Sequence, residues 1–167
     1  VLADSARREV GRLTWVPPLA DQRAEAGGVL RSSDGLAVRV QLLSASDYPA
    51  WPTEWRDIHQ RYSDVPPARL QVLTESAFVA AKTVAWVFRR APRDLYDLWA
   101  LAQLGAIGAQ ARELYCSLGP TGGPPTAGDF SQAPGDEAWE VELAGQTRLT
   151  VTGEQALSVV RAAWAEV

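Results

Sequence analysis

Leu73-Thr-Glu-Ser-Ala-Phe-Val-Ala-Ala-Lys82-Thr-Val-Ala-Trp-Val-Phe-Arg89-Arg90-Ala-Pro-Arg93-Asp94-Leu-Tyr-Asp97-Leu-Trp99 is the stretch that decides the fold. It reads as two consecutive helices. Thr74 offers an N-cap hydroxyl to the first. Pro92 suits the first turn of the second, which runs to about Leu104, with Gly105 as its stop. On the first helix, Lys82 shares a face with Phe78, Val79, Ala85 and Trp86. On the second, Asp94 and Asp97 stand three apart and share a face. An ammonium on an apolar face followed by a paired-carboxylate helix is the strongest chemical signal in the chain.

Composition sharpens it. The 167 residues hold fifteen arginines and one lysine, Lys82. Where Arg has replaced Lys so widely, the remaining Lys marks a place for a compact, rotatable ammonium rather than a planar guanidinium. The bland reading is a surface lysine whose stem covers apolar neighbours. The functional reading is a phosphate-binding ammonium. Asp94 in a first helical turn is favoured by the helix dipole alone, which explains Asp97 poorly. Arg93, four residues before Asp97, offers it an ordinary surface ion pair. The alternative is that the carboxylates activate a hydroxyl or orient the lysine or a metal-bound nucleotide.

Outward from this stretch the pattern is mixed. Residues 4–13 read as an amphipathic helix ended by Pro17-Pro18. Gly28–Arg31 and Leu36–Leu43, joined by Ser32-Ser-Asp34-Gly35, read as a β-hairpin. Residues 44–69 read as a long connection with a short helical turn at Asp57–Tyr62. Ile107–Leu118 reads as a helix and Gly119–Gly135 as a flexible loop. Trp139–Leu143 and Thr147–Thr152 alternate and read as a second hairpin. Thr152-Gly-Glu-Gln155 is a capping box opening a last helix. The fold class is therefore α+β, β-hairpins packed with a helical carboxy-terminal part. Three segments organise it: residues 1–69, the helical region 70–118, and residues 119–167.

Other chemistries find little support. One His and one Cys do not make a zinc site of usual type. Lone Cys116, read as buried and inert, excludes an internal disulfide framework and fits a cytoplasmic location. No stretch has the length of a membrane-spanning helix. A net charge of −4 argues against a broad basic nucleic-acid face, though Arg89, Arg90 and Arg93 form a local basic patch. Trp51, Trp55 and Tyr62 offer rings for base stacking, or packing for a long loop. Glu140 and Glu142, placed on one strand face, imitate a metal pair but fit the wet side of a hairpin better.

Lys82, then Arg90, then Arg93-Asp94-Leu-Tyr-Asp97-Leu on the following helix resembles the signature of AbiEii-type nucleotidyltransferase toxins of type IV toxin–antitoxin systems. The close match spans about residues 70–105. The resemblance implies a nucleotidyltransferase-like fold and transfer of a nucleoside monophosphate from an NTP to an RNA acceptor, the tRNA 3′ end in some members. It implies Mg²⁺ and a cognate antitoxin. It assigns catalysis to Lys82, Asp97 and Asp94, and nucleotide or RNA binding to Lys82, Arg90 and Arg93. The family's Gly-Ser or Gly-Thr and Asp-x-Asp metal motif is not found, and Gln41 stands at a strand position where an acidic residue is expected. There is no Met, even at position 1. The metal ligands are therefore expected upstream of Val1, and the chain alone is expected to bind nucleotide weakly and transfer nothing. The rival reading is a non-catalytic antitoxin- or RNA-binding module that keeps only the helical half of such a fold.

Overall fold

A computed structural model describes residues 13–17, 27–40, 48–61, 63–64 and 66–167. Residues 4–12 of the expected first helix, Pro18, Gln41 and Tyr62 lie outside them. The chain separates into two compact units, 1–48 and 49–167.

In the first unit, β1 (Thr14–Val16), β2 (Gly28–Arg31) and β3 (Ala37–Val40) form an antiparallel sheet in that order. The expected hairpin is β2–β3, with Leu30 opposite Val38. Its turn needs Gly35, whose φ of 95° suits glycine and few other residues. The Leu36 amide closes the turn by donating to the Ser32 hydroxyl at 3.1 Å.

The second unit opens with a hairpin that the sequence hid. β4 (Thr53–Asp57) and β5 (Arg69–Leu73) pair antiparallel, from Thr53 opposite Leu73 to Asp57 opposite Arg69. The expected helical turn at Asp57–Tyr62 is therefore corrected: Asp57 ends a strand, and the Ile58 amide extends the ladder to the Ala68 carbonyl at 2.8 Å. The strands are mostly exposed, so no apolar face marks them. Polar contacts across the ladder hold them, with Gln71 Nε2 donating to Thr53 Oγ1 at 2.7 Å and Arg69 against Asp57 at 3.0 Å.

Five helices complete the unit: α1 (Glu75–Arg89), α2 (Pro92–Gln103), α3 (Ala109–Leu118), α4 (Asp136–Leu143) and α5 (Gly153–Ala165). Helix α1 packs on α2, α3 and β5, while α2 also packs on α4 and α5. The core between them holds Val79, Trp86, Leu95, Leu98, Tyr115, Leu143, Leu157 and Val160. Trp51 joins it from the segment before β4. The Thr74 cap is present, with its hydroxyl accepting from the Ala77 amide. Gly105 stops α2 at a φ of 69°. Cys116 is only half-buried, a correction to the expectation of full burial.

The expected second hairpin is not formed. Residues 136–143 are helix α4, and 147–152 lack regular structure, with no strand paired to them among the described residues. The spacing Trp139-Val141-Leu143 satisfies a period of two, but Val141 is 73% exposed and only Trp139 and Leu143 are buried. Those two are four apart and share a helix face. Asp136 and Glu137, both acidic in the first turn, favour the helix through its dipole. Residues 119–135, expected to be a flexible loop, contain a 3-10 helix at Ala127–Phe130 whose Phe130 is buried and which packs on α5.

The Thr152–Gln155 capping box is formed, with both reciprocal bonds in place, at 3.2 and 3.0 Å. Thr152→Ala removes one of them, and α5 carries Leu157 and Val160 of the core. The expected result is a loss of about 1 kcal/mol, read from urea unfolding midpoints. An unchanged midpoint would show that the cap contributes nothing to global stability.

Candidate functional site

The junction between α1 and α2 decides which side chains meet. Helix α1 ends at Arg90, which sits in the left-handed region at φ 51° and ψ 30°. A non-glycine residue there costs roughly 1–2 kcal/mol. Its side chain offsets that cost. The guanidinium lies 5.1 Å from the Trp86 ring centroid and donates to the Asp129 carbonyl of the 3-10 helix. Trp86 Nε1 donates to the same carbonyl at 2.8 Å. Pro92 then starts α2 without an orphaned N–H. The chain folds back on itself within three residues.

This return brings Lys82 to the carboxylates. Its Nζ lies 2.5 Å from Asp97 Oδ2 and 3.5 Å from Asp94 Oδ1. The ammonium also stands 5.5 Å from the Phe78 ring centroid, over the apolar face expected for it. The Lys82 side chain is 22% exposed and Asp97 38%, so the pair opens to solvent. Asp94 is different. It is fully buried, and Arg89 grips both its oxygens, with Nε at 2.6 Å and a terminal nitrogen at 2.7 Å. These hydrogen bonds raise the Arg89 guanidinium above its ordinary value, against a smaller opposing effect of desolvation. A bidentate fork of this kind fixes both partners in one plane.

The basic patch is divided in its work. Arg89 holds Asp94, and Arg90 holds the 3-10 helix. Arg93 is exposed and enters no ion pair among the described residues. Asp97 thus pairs with Lys82 and not with Arg93. Trp55 is 60% exposed, on the hairpin, whereas Trp51 is core. His59 is exposed. Glu140 and Glu142 lie on α4 and do not share a strand face, which removes the geometry that made them resemble a metal pair.

A resident Mg²⁺ asks for near-octahedral oxygen ligands. Both oxygens of Asp94 are occupied by Arg89, and Lys82 occupies the nearer oxygen of Asp97. Among the described residues no group of three or more His, Cys, Asp or Glu side chains gathers as a metal site. These residues do not fit Mg²⁺ by themselves.

The sequence brought Lys82, Asp94 and Asp97 into view together but missed the role of Arg89. Arg89 and Asp94 are five apart and lie on different helices, so the three-and-four spacing of a single helix does not pair them. A signal was present: a first-turn Asp beside an apolar Leu-Tyr pair needs a cation once it is buried.

The family model described as nucleotidyl transferase AbiEii toxin, type IV toxin–antitoxin system, matches residues 8–155, a span that includes every residue of this cluster. No curated protein and no solved structure matches the chain.

Proposed function

Because the chain belongs to the AbiEii family of nucleotidyl transferase toxins of type IV toxin–antitoxin systems, we propose that its Lys82–Asp97 pair serves the transfer of a nucleoside monophosphate from an NTP to an RNA hydroxyl. The acceptor proposed is the 3′ end of tRNA. The family itself implies a nucleotide substrate and an antitoxin partner. No helix among the described residues is long and apolar enough to cross a membrane.

The observation that carries the reading is the solvent-open ion pair of the only lysine with a half-exposed carboxylate, at 2.5 Å. In the free protein the Asp97 oxygen stands where a phosphate oxygen would stand against the ammonium. When a triphosphate arrives, Lys82 turns to it as a point charge. Asp97 is then released to accept a proton. The acceptor hydroxyl oxygen attacks the α-phosphorus, and its proton passes to Asp97. The bond from the α-phosphorus to the bridging oxygen breaks, and pyrophosphate leaves with that electron pair. Asp94 stays buried beneath the pair as a fixed counter-charge. Arg93, which is exposed and in no ion pair among the described residues, is the proposed contact to RNA or triphosphate oxygens. Arg90 reaches them less directly, since its guanidinium is engaged with the 128–129 carbonyls. Any Mg²⁺ requirement would draw on ligands beyond this cluster.

The test is incorporation of each of four labelled NTPs into total tRNA by the protein expressed from its complete gene. The expected product is tRNA lengthened at its 3′ end. Labelled protein with unlabelled RNA would overturn the RNA acceptor. No incorporation, with RNA or antitoxin binding intact, would favour a non-catalytic binding module.

A further inference from the structure

Two carboxylates compete here for one ammonium, and the outcome is the reverse of what burial alone dictates. Asp94 is fully buried, so no water offsets its charge. Asp97 is 38% exposed and keeps part of its hydration. An isolated buried carboxylate would draw the nearest cation onto itself. Yet Lys82 lies 2.5 Å from the exposed Asp97 and 3.5 Å from the buried Asp94. The difference is Arg89, which donates to both Asp94 oxygens at 2.6 and 2.7 Å.

We infer that Arg89 is a positioning residue of this site: by saturating Asp94 it keeps the Lys82 ammonium turned outward, where a phosphate oxygen can take it. The inference rests on the reading of Lys82 as a phosphate clamp. Arg89 touches no substrate atom in this scheme. It acts through Asp94 on Lys82. Without it, Asp94 faces one cation instead of two, and the ammonium is pulled inward, away from the open side. A neutral residue at 94 removes that pull, so it should also remove the need for Arg89.

The single lysine makes this measurable. Lysine labelled with carbon-13 gives the 167-residue chain one set of side-chain signals, those of Lys82. The probe is inorganic triphosphate, titrated while the Lys82 ε-methylene signal is followed by NMR. In the unsubstituted chain the signal is expected to move and saturate. Arg89→Gln should raise the midpoint about 10- to 100-fold, by analogy with the loss seen when a partner that orients a metal ligand from behind is removed. Arg89→Gln combined with Asp94→Asn should return the midpoint close to that of the unsubstituted chain.

An unchanged midpoint in Arg89→Gln would overturn the inference and leave the clamp reading standing. Equal weakening in the single and double variants would also overturn it, because Arg89 would then bind phosphate directly. A signal that never moves in the unsubstituted chain would defeat the clamp reading, and this inference with it. Circular dichroism checks each fold. If Arg89→Gln does not fold, Arg89→Lys takes its place: one ammonium cannot bridge both oxygens as a fork does, so a smaller rise is expected, again cancelled by Asp94→Asn.

Discussion

Lys82→Ala is expected to lower the proposed nucleotide incorporation into RNA by about 10²- to 10³-fold, the size of effect seen when one preorganised charge donor is removed from a developing anion. The fold survives the change. Asp94 keeps its two bonds from Arg89, and Asp97 is exposed enough to be rehydrated. Loss of a partly exposed ion pair costs roughly 1 kcal/mol or less. Activity and stability therefore separate in this variant, which is the useful part of the prediction. Lys82→Arg should remain impaired. The guanidinium is planar and larger, and it would have to meet both carboxylates and the Phe78 ring from the position one ammonium nitrogen holds. The measurement is labelled-NTP incorporation by the complete gene product, with thermal unfolding beside it. Incorporation within a factor of about two of the unsubstituted protein, well under the range for a lost charge donor, would return Lys82 to an ordinary stem-covering surface lysine.

The second large effect sets the two carboxylates against each other. Asp97→Asn should lower the rate about 10²- to 10⁴-fold, the contribution of a positioned proton acceptor, at little cost to stability. Asp94→Asn should do the opposite in its balance. It converts a charged fork inside the protein into a neutral one, and hydrogen bonds to charged groups contribute roughly 1.5–3 kcal/mol. Its unfolding midpoint should therefore fall more than that of Asp97→Asn, and its rate should fall less. Kinetics and urea unfolding on the same two proteins decide it. If Asp94→Asn lost more activity than Asp97→Asn while remaining folded, the carboxylates would exchange roles.

Helices α1, α2, α3 and α5 were legible because their signals are local. Thr74, Pro92, Gly105 and the Thr152–Gln155 box each mark a helix end by chemistry confined to one turn, and each does so in the structure. The meeting of Lys82 with Asp97 was legible for a related reason: two adjacent helices and a short Ala-Pro junction leave few ways to fold back. The β4–β5 hairpin was not legible, because its strands bury little and its stabilising pairs are polar. Helix α4 was misread because eight residues with a buried Trp and Leu fit two periods equally well until exposure of Val141 decides between them. The placement of Arg89 was hidden for a different reason. Its partner lies across a break between helices, where no spacing rule reaches.

The site's cation is also the only side-chain amine in these 167 residues. An acylating reagent, a lysine-directed cross-linker or an acetyltransferase has one side chain to act on here, and it is the one facing Asp97. Acylation would leave Asp94 and Asp97 with Arg89 as the one charged partner among the groups described around them. A cross-link formed through Lys82 would consume the ammonium that pairs with Asp97, so any antitoxin contact traced through this residue would be a contact at the ion pair itself.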